Sequence, residues 1–180
     1  MLWGMWRERD AAASVPAGSN TFDLFGGWKY TKYFREDLAV TARYDIFGVE
    51  QTRGGPNNMV VGTVGGMALP IGVQWYPIKG NHRTQPFKPF IGGGIGPVIG
   101  ISHRRVGSGD TAFETTVTRA TLGARIDGGV DVHVARSFSI GIDLAYSAML
   151  NFSEPFGAHQ NFNGAQASIG VGWLFGKGSR

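Results

Sequence analysis

Ser168-Ile169-Gly170-Val171-Gly172-Trp173-Leu174-Phe175 sets Ile169, Val171, Trp173 and Phe175 at odd positions and Ser168, Gly170, Gly172 and Leu174 at even ones. Successive side chains of a strand point to opposite faces, so parity is orientation. One face is large and apolar; the other is small except for Leu174. Extended back to Phe162, the odd face adds Asn163, Ala165 and Ala167, and the even face adds Phe162, Gly164 and Gln166. Such a strand suits hydrocarbon on one side and a cramped lumen on the other.

The same period of two recurs along the chain. In residues 137–150, Phe138, Ile140, Ile142, Leu144, Tyr146, Ala148 and Leu150 oppose Ser137, Ser139, Gly141, Asp143, Ala145, Ser147 and Met149. Residues 121–134 carry the cleanest alternation, with Leu122, Ala124, Ile126, Gly128, Val130, Val132 and Val134 against Thr121, Gly123, Arg125, Asp127, Gly129, Asp131 and His133. Residues 38–48 put Leu38, Val40, Ala42, Tyr44 and Ile46 opposite Ala39, Thr41, Arg43, Asp45 and Phe47. Strands are also expected at 22–33, at 59–76, from 89 to about 104 and from 111 into the 121–134 run, with a weakly alternating eighth near 2–9. Connections alternate in length. Phe34-Arg35-Glu36-Asp37 and Ala135-Arg136 are short turns, whereas residues 53–58, 105–110 and 151–161 form longer loops rich in turn residues. This is the pattern of an up-and-down membrane barrel with an even strand number and both termini at the short-turn, periplasmic end. Pro70 and Pro97 each lack a ladder donor and are expected at bulges near the rim, and Gly92-Gly93-Gly94 at a bend or a close backbone approach.

Composition agrees. The 180 residues form one domain, 1–180, with a short tail at 176–180; charged residues are only 17%, and Gly numbers 29. No run of about 18 apolar residues occurs, so a membrane-spanning helix is excluded, whereas a barrel shows its hydrophobicity at every second position only. Cysteine is absent, which leaves the redox compartment open. The first residues, Met1-Leu2-Trp3-Gly4-Met5-Trp6-Arg7, lack the basic and uninterrupted apolar regions of the signal peptide that an exported barrel needs. Net charge is +4, but Arg104-Arg105 precedes a Gly-Ser-Gly-Asp turn rather than lying among stacked aromatics, so nucleic acid is not the expected partner.

A soluble barrel would show the same period with its faces inverted. The polar face here is poor in Lys and Glu and rich in Gly and Ser, which fits a narrow lumen better than a soluble exterior. The fold expected is therefore all-β, a closed antiparallel eight-stranded up-and-down transmembrane β-barrel. Its lumen receives Asp23, Lys29, Arg43, Asp45, Arg125, Asp127, Asp131, His133 and Asp143, with Gln74 and Gln166. Both signs occur in similar numbers, so a salt-bridge network that plugs the lumen is the favoured reading, and a narrow path for protons or small ions the alternative. Trp28, Trp75, Tyr76, Phe138, Trp173 and Phe175 fall near strand ends, where interfacial girdles lie.

The final strand also resembles the C-terminal recognition strand of bacterial outer-membrane barrels, with Ser168, Gly170, Trp173 and Phe175 on its polar, Gly, aromatic and aromatic positions. With Pro89-Phe90-Ile91-Gly92-Gly93-Gly94-Ile95-Gly96 and the strand-turn spacing from 22 to 175, the chain resembles the small OmpA/OmpX/OmpW-like outer-membrane barrels. The tail at 176–180 departs from that pattern, since such barrels usually finish on the aromatic. The resemblance implies residence in the bacterial outer membrane, contact with its lipid and lipopolysaccharide, recognition by the barrel assembly machinery, and no cofactor. It decides fold more than activity: members anchor envelopes, adhere, conduct small solutes or act as enzymes.

Catalysis has little purchase. Asp131 and His133 share a face two residues apart and could orient an imidazole, with Ser137 or Ser139 across a hairpin as nucleophile. The His-x-Ser-Asn run of small outer-membrane lipid A deacylases is absent, since His133 is followed by Val134-Ala135-Arg136 and His159 by Gln160-Asn161-Phe162. None of the four His residues has metal-ligand spacing. The function expected is non-enzymatic, structural or interactive through the loops at 53–58, 105–110 and 151–161. A conduit for small solutes and an outer-membrane lipid hydrolase using His133 and Asp131 are the alternatives.

Overall fold

The computed structural model describes residues 2–7, 25–53, 60–79, 85–106, 113–135, 137–153 and 161–173. These form nine strands: β1 (Leu2–Arg7), β2 (Phe25–Arg35), β3 (Leu38–Arg53), β4 (Val60–Ala68), β5 (Ile71–Trp75), β6 (Phe87–Val106), β7 (Phe113–Ala135), β8 (Phe138–Met149) and β9 (Gly164–Trp173). Every pairing is antiparallel. The pairings run from β1 through β2, β3, β4 with β5, β6, β7 and β8 to β9, and β9 pairs back onto β1. A ring leaves no open sheet edge where its strands are paired, which is the condition for a sheet to stand in hydrocarbon.

β4 and β5 make one stave, as the 59–76 expectation has it, interrupted at Leu69-Pro70. Ala68 pairs with Val98 and Ile71 with Ile95, three steps on each strand, so the register runs on unbroken. On the other side Asp45 pairs with Ala68 and Ala42 with Ile71. The prolines therefore sit in register within the wall rather than at rim bulges. Pro70 still accepts from the Arg43 N–H at 3.0 Å, and Pro97 from the Leu69 N–H at 3.0 Å. A residue's N–H and C=O leave a strand on the same side, so the donor Pro97 lacks faces this interruption. The glycine run serves close approach: a Cβ on Gly92 would stand 2.7 Å from the Val73 carbonyl oxygen, and one on Gly94 2.9 Å from that of Ile71.

Nine elements thus build eight staves. Glu36-Asp37 joins β2 to β3, and residues 136 and 137 join β7 to β8, both at one end. At the opposite end β7 runs on past β8, with which it pairs only from Gly123, opposite Met149, and β6, β4 and β3 run on beside it, Val106 pairing with Phe113 and with Val60, and Arg53 with Val61. β1 is short and irregular. It pairs with β2 from Leu2 to Gly4, and its register against β9 shifts between Gly4 and Trp6. No helix among the described residues is long and apolar enough to cross a membrane.

Outside, the ring is apolar. Trp28, Ile71, Ile91, Ile95, Leu122, Ile126, Leu144 and Trp173 are all more than half exposed, a density that water does not tolerate on a monomer of this size. Tyr76 corrects the girdle expectation. It follows buried Gln74 by two residues, shares its inward parity, and is fully buried in the lumen.

Candidate functional site

The inward parity of the strands delivers charged and polar groups to the middle of the barrel. On β3, Ala39, Thr41, Arg43, Asp45 and Phe47 are buried in alternation; β7 supplies Arg125 and Asp127, β8 Ser139 and Asp143, and β9 Gln166 and Ser168. Asp143 is the hub. Its Oδ2 accepts from Arg43 Nη2 at 2.5 Å and its Oδ1 from Arg125 Nη2 at 2.8 Å, with all three side chains at most 5% exposed. Arg43 Nη1 lies 3.7 Å from Asp127 Oδ2, and Arg125 Nη1 lies 3.7 Å from Asp45 Oδ2. Gln74 Nε2 donates to Asp127 Oδ2 at 2.9 Å, and Arg125 Nη1 donates to Gln166 Oε1. Charges withdrawn from water persist when paired and hydrogen-bonded in this way.

Toward the short-turn end the lumen is aromatic and cationic. Tyr76 stands between Tyr33 and Phe90, with ring centroids 5.2 and 5.9 Å away. Lys29 Nζ lies 4.5 Å from the Phe90 centroid and donates to Gln74 Oε1 at 3.5 Å. Lys88 is 1% exposed; its Nζ donates to the Glu36 carbonyl at 3.4 Å and faces the Tyr33 and Tyr76 rings at 5.4 and 5.5 Å. These contacts supply the attraction that a buried ammonium needs. Asp131 faces the same space, beside Gly141, where an added Cβ would meet its Oδ1 at 2.8 Å. Lys29, Arg43, Lys88 and Arg125 are thus matched by Asp45, Asp127, Asp131 and Asp143.

The loop end is closed differently. Phe47, Val98, Phe152 and Phe162 form a buried apolar cluster against Ala68, Val117 and Met149. Phe162 meets Phe47 and Phe152 edge-on at 5.3 and 5.9 Å. Phe152 and Phe162 flank the β8–β9 connection, whose base is held by Asn161 Nδ2 donating to Asn151 Oδ1 at 2.7 Å and by the Met149 N–H donating to Asn163 Oδ1 at 2.7 Å. A cavity of about 30 Å³ lies between this cluster and the charges, lined by Asp45, Phe47, Val98, Arg125, Met149 and Gln166 among others. It has room for about one or two waters.

Of the residues singled out in the sequence, Lys29, Arg43, Asp45, Arg125, Asp127, Asp131 and Asp143 meet in the lumen with Gln74 and Gln166. His133 is half-buried near the short-turn end, in register opposite Ser139. Asp23 and Phe175 lie outside the described residues, as do residues 54–58, 107–110 and 154–160 of the loops and the tail at 176–180. Ser168 and Gly170 face inward, and Trp173 is 66% exposed outside, edge-on to Phe138 at 5.9 Å. Sequence reasoning missed Lys88, Tyr33, Phe90, Val98, Phe152 and the lumenal use of Phe47 and Phe162. Inward parity was the available signal for all of them but Phe152, which lies beyond the end of β8 and has the parity of that strand's outward face. No group of His, Cys, Asp and Glu fit for a metal occurs among the described residues.

No family model matches the chain, and no curated protein matches it in sequence. Solved structures do match. Ail, the attachment invasion locus protein of Yersinia pestis, in complex with the heparin analogue sucrose octasulfate, superposes with a TM-score of 0.55 at 13% identity, over 96% of this chain and 93% of that one. The chain has the fold of the small outer-membrane β-barrels. A second Ail structure gives 0.51 at 12% identity, over 96% of this chain and 92% of that one. The N-terminal β-barrel domain of Pseudomonas aeruginosa OprF covers 96% of this chain and 93% of its own at 10% identity, with a TM-score of 0.45. At these identities the likeness concerns fold alone.

Proposed function

We propose that the chain is a non-enzymatic outer-membrane barrel that acts through its loop end and does not conduct. The observation that carries this reading is the Asp143 hub, which ties Arg43 and Arg125 across the lumen at 2.5 and 2.8 Å. An eight-stranded barrel has an interior that side chains just fill, and this one stacks cationic-aromatic, charged and apolar layers along it. The outward apolar ring supports a place in a membrane, and the likeness to Ail supports the bacterial outer membrane. The work then falls to the loops at 53–58, 105–110 and 151–161, since loops on a rigid scaffold can change without cost to the core.

Planar-bilayer recording tests the closed lumen. The protein should insert without discrete openings, and openings that vanish in Arg125→Ala or Asp127→Ala would establish a conduit instead. Immobilised heparin probes the loop end, because one Ail structure holds a heparin analogue and basic residues Arg53, Arg104 and Arg105 flank the loops here. Salt-sensitive retention that is lost on neutralising those arginines would name an anionic sugar as the loop ligand.

A further inference from the structure

The interruption at Leu69-Pro70 leaves one hydrogen bond of the wall unmade, and the lumenal cavity lies against it. The Leu69 N–H donates to the Pro97 carbonyl at 3.0 Å, which makes these two a hydrogen-bonded pair of the antiparallel ladder. Such a pair exchanges two bonds, and the second would run from the nitrogen of residue 97 to the Leu69 carbonyl. Proline has no N–H to give. Hydrocarbon outside the wall offers a carbonyl no donor, so a partner for this one has to come from the lumen. The Leu69 oxygen leans that way: Gly96 shares the inward parity of Phe90 and Val98, and a Cβ on it would collide with this oxygen.

Pro70 and Gly96, on either side of that oxygen, both line the cavity of about 30 Å³, as do Arg125 and Asp45. Arg125 brings a second unmet group. Its Nη1 and Nη2 donate to Gln166 and Asp143, whereas its Nε has no partner in a side chain only 5% exposed. Its Nη1 also stands 3.7 Å from Asp45 Oδ2, a separation at which polar groups are commonly bridged by water. One small space thus meets a backbone acceptor without its donor and a guanidinium donor without its acceptor.

We propose that this cavity is a built water site, in which one water accepts from Arg125 Nε–H, donates to the Leu69 carbonyl and turns its other proton toward the Asp45 carboxylate. A cation there would face the Arg125 guanidinium, and an anion would face the Leu69 oxygen and Asp45. Water both donates and accepts. The volume suits about one or two waters, and about three hydrogen bonds are usual for a buried one. The water takes the place of the ladder bond that Pro97 does not make, and so ties the seam between the β4–β5 stave and β6 to the charged layer.

Water contacts at Arg125 Nε–H in lipid nanodiscs test this. In nitrogen-edited rotating-frame NMR spectra a direct contact with a held water has the opposite sign to proton exchange, and the resonance is assigned by its loss in Arg125→Lys. The unchanged chain should show the contact, with the laboratory-frame sign of a long-lived water. Pro97→Ala supplies an N–H opposite the Leu69 carbonyl; that amide should be protected from exchange, and the water contact should be lost. Ser147→Val fills the same cavity from β8 and should remove the contact as well. No held-water contact in the unchanged chain would overturn the proposal, and so would a contact that survives either change; both results leave the closed lumen standing. A contact with the sign of rapidly exchanging water would overturn the built site and the closed lumen together.

Discussion

Replacing Asp143 by Asn removes the one carboxylate that both lumenal arginines share while keeping its shape. The side chain is 3% exposed, and its two oxygens receive Arg43 and Arg125 separately, so Asn can satisfy one guanidinium but not both. Breaking a buried ion pair from one side costs about 3–5 kcal/mol, because the remaining charge is left uncompensated. Asp127 and Asp45, each 3.7 Å from one of these arginines, hold part of the attraction, so the expected loss is near the lower bound, about 3 kcal/mol. The double change Asp143→Leu with Arg43→Met removes opposite charges together and should recover most of that loss, since apolar replacement of a buried pair is often neutral. Urea unfolding in lipid vesicles, followed by Trp fluorescence, reads both. A loss under about 1 kcal/mol for Asp143→Asn, the value of a solvated surface pair, would refute a desolvated lumen network.

Ile95→Arg puts a guanidinium on the wall where Ile95 is 71% exposed, and should destabilise the inserted barrel by about 2–4 kcal/mol, the cost of that charge at mid-membrane. Phe162→Ala opens the apolar cluster at the loop end, and should lower stability by about 3 kcal/mol and speed exchange at the Met149 amide, yet leave bilayers silent because the charged layer remains. The hydrogen bonds from Arg35 at 2.8 and 2.9 Å hold the Asp37 carboxyl below the usual carboxylate range. A folded value below the unfolded one stabilises above the unfolded value and loses that contribution as pH falls through the folded one, so the NMR midpoint of Asp37 should rise toward the ordinary value in Arg35→Ala. Phe175→Asp should lower membrane yield far more than the stability of refolded barrel, because a charge near the interface costs only about 0–1 kcal/mol, whereas the resemblance to a recognition strand implies a role for this aromatic in assembly.

Parity along β3, β7, β8 and β9 made the wall and most of its inward charges legible in the sequence. Period two says which face a residue takes and nothing about its height along the axis. Phe47 and Phe162 were therefore visible as inward residues, while their meeting with Val98 and Phe152 to close one end was not, since Phe152 comes from beyond the end of β8. Lys88 and Tyr76 sit at strand ends, where an alternation has too few neighbours to declare itself; Tyr76 read as a girdle residue for that reason. Pro70 and Pro97 read as two separate defects, although Pro70 lies in the interruption between β4 and β5 that Pro97 faces. β1 stayed weak in the sequence because it is short and its register against β9 shifts between Gly4 and Trp6.

The central claim is that the apolar exterior of this ring faces lipid around a filled interior. Single nitroxide labels at positions 122–132 of β7 in reconstituted vesicles, read for collision with oxygen and with a water-soluble nickel chelate, test it residue by residue. Labels replacing Leu122, Ala124, Ile126, Gly128, Val130 and Val132 should collide with oxygen and not with nickel, and those replacing Arg125 and Asp127 with neither. Nickel access at the first set would mean that this face meets water, and the membrane barrel would be the wrong account.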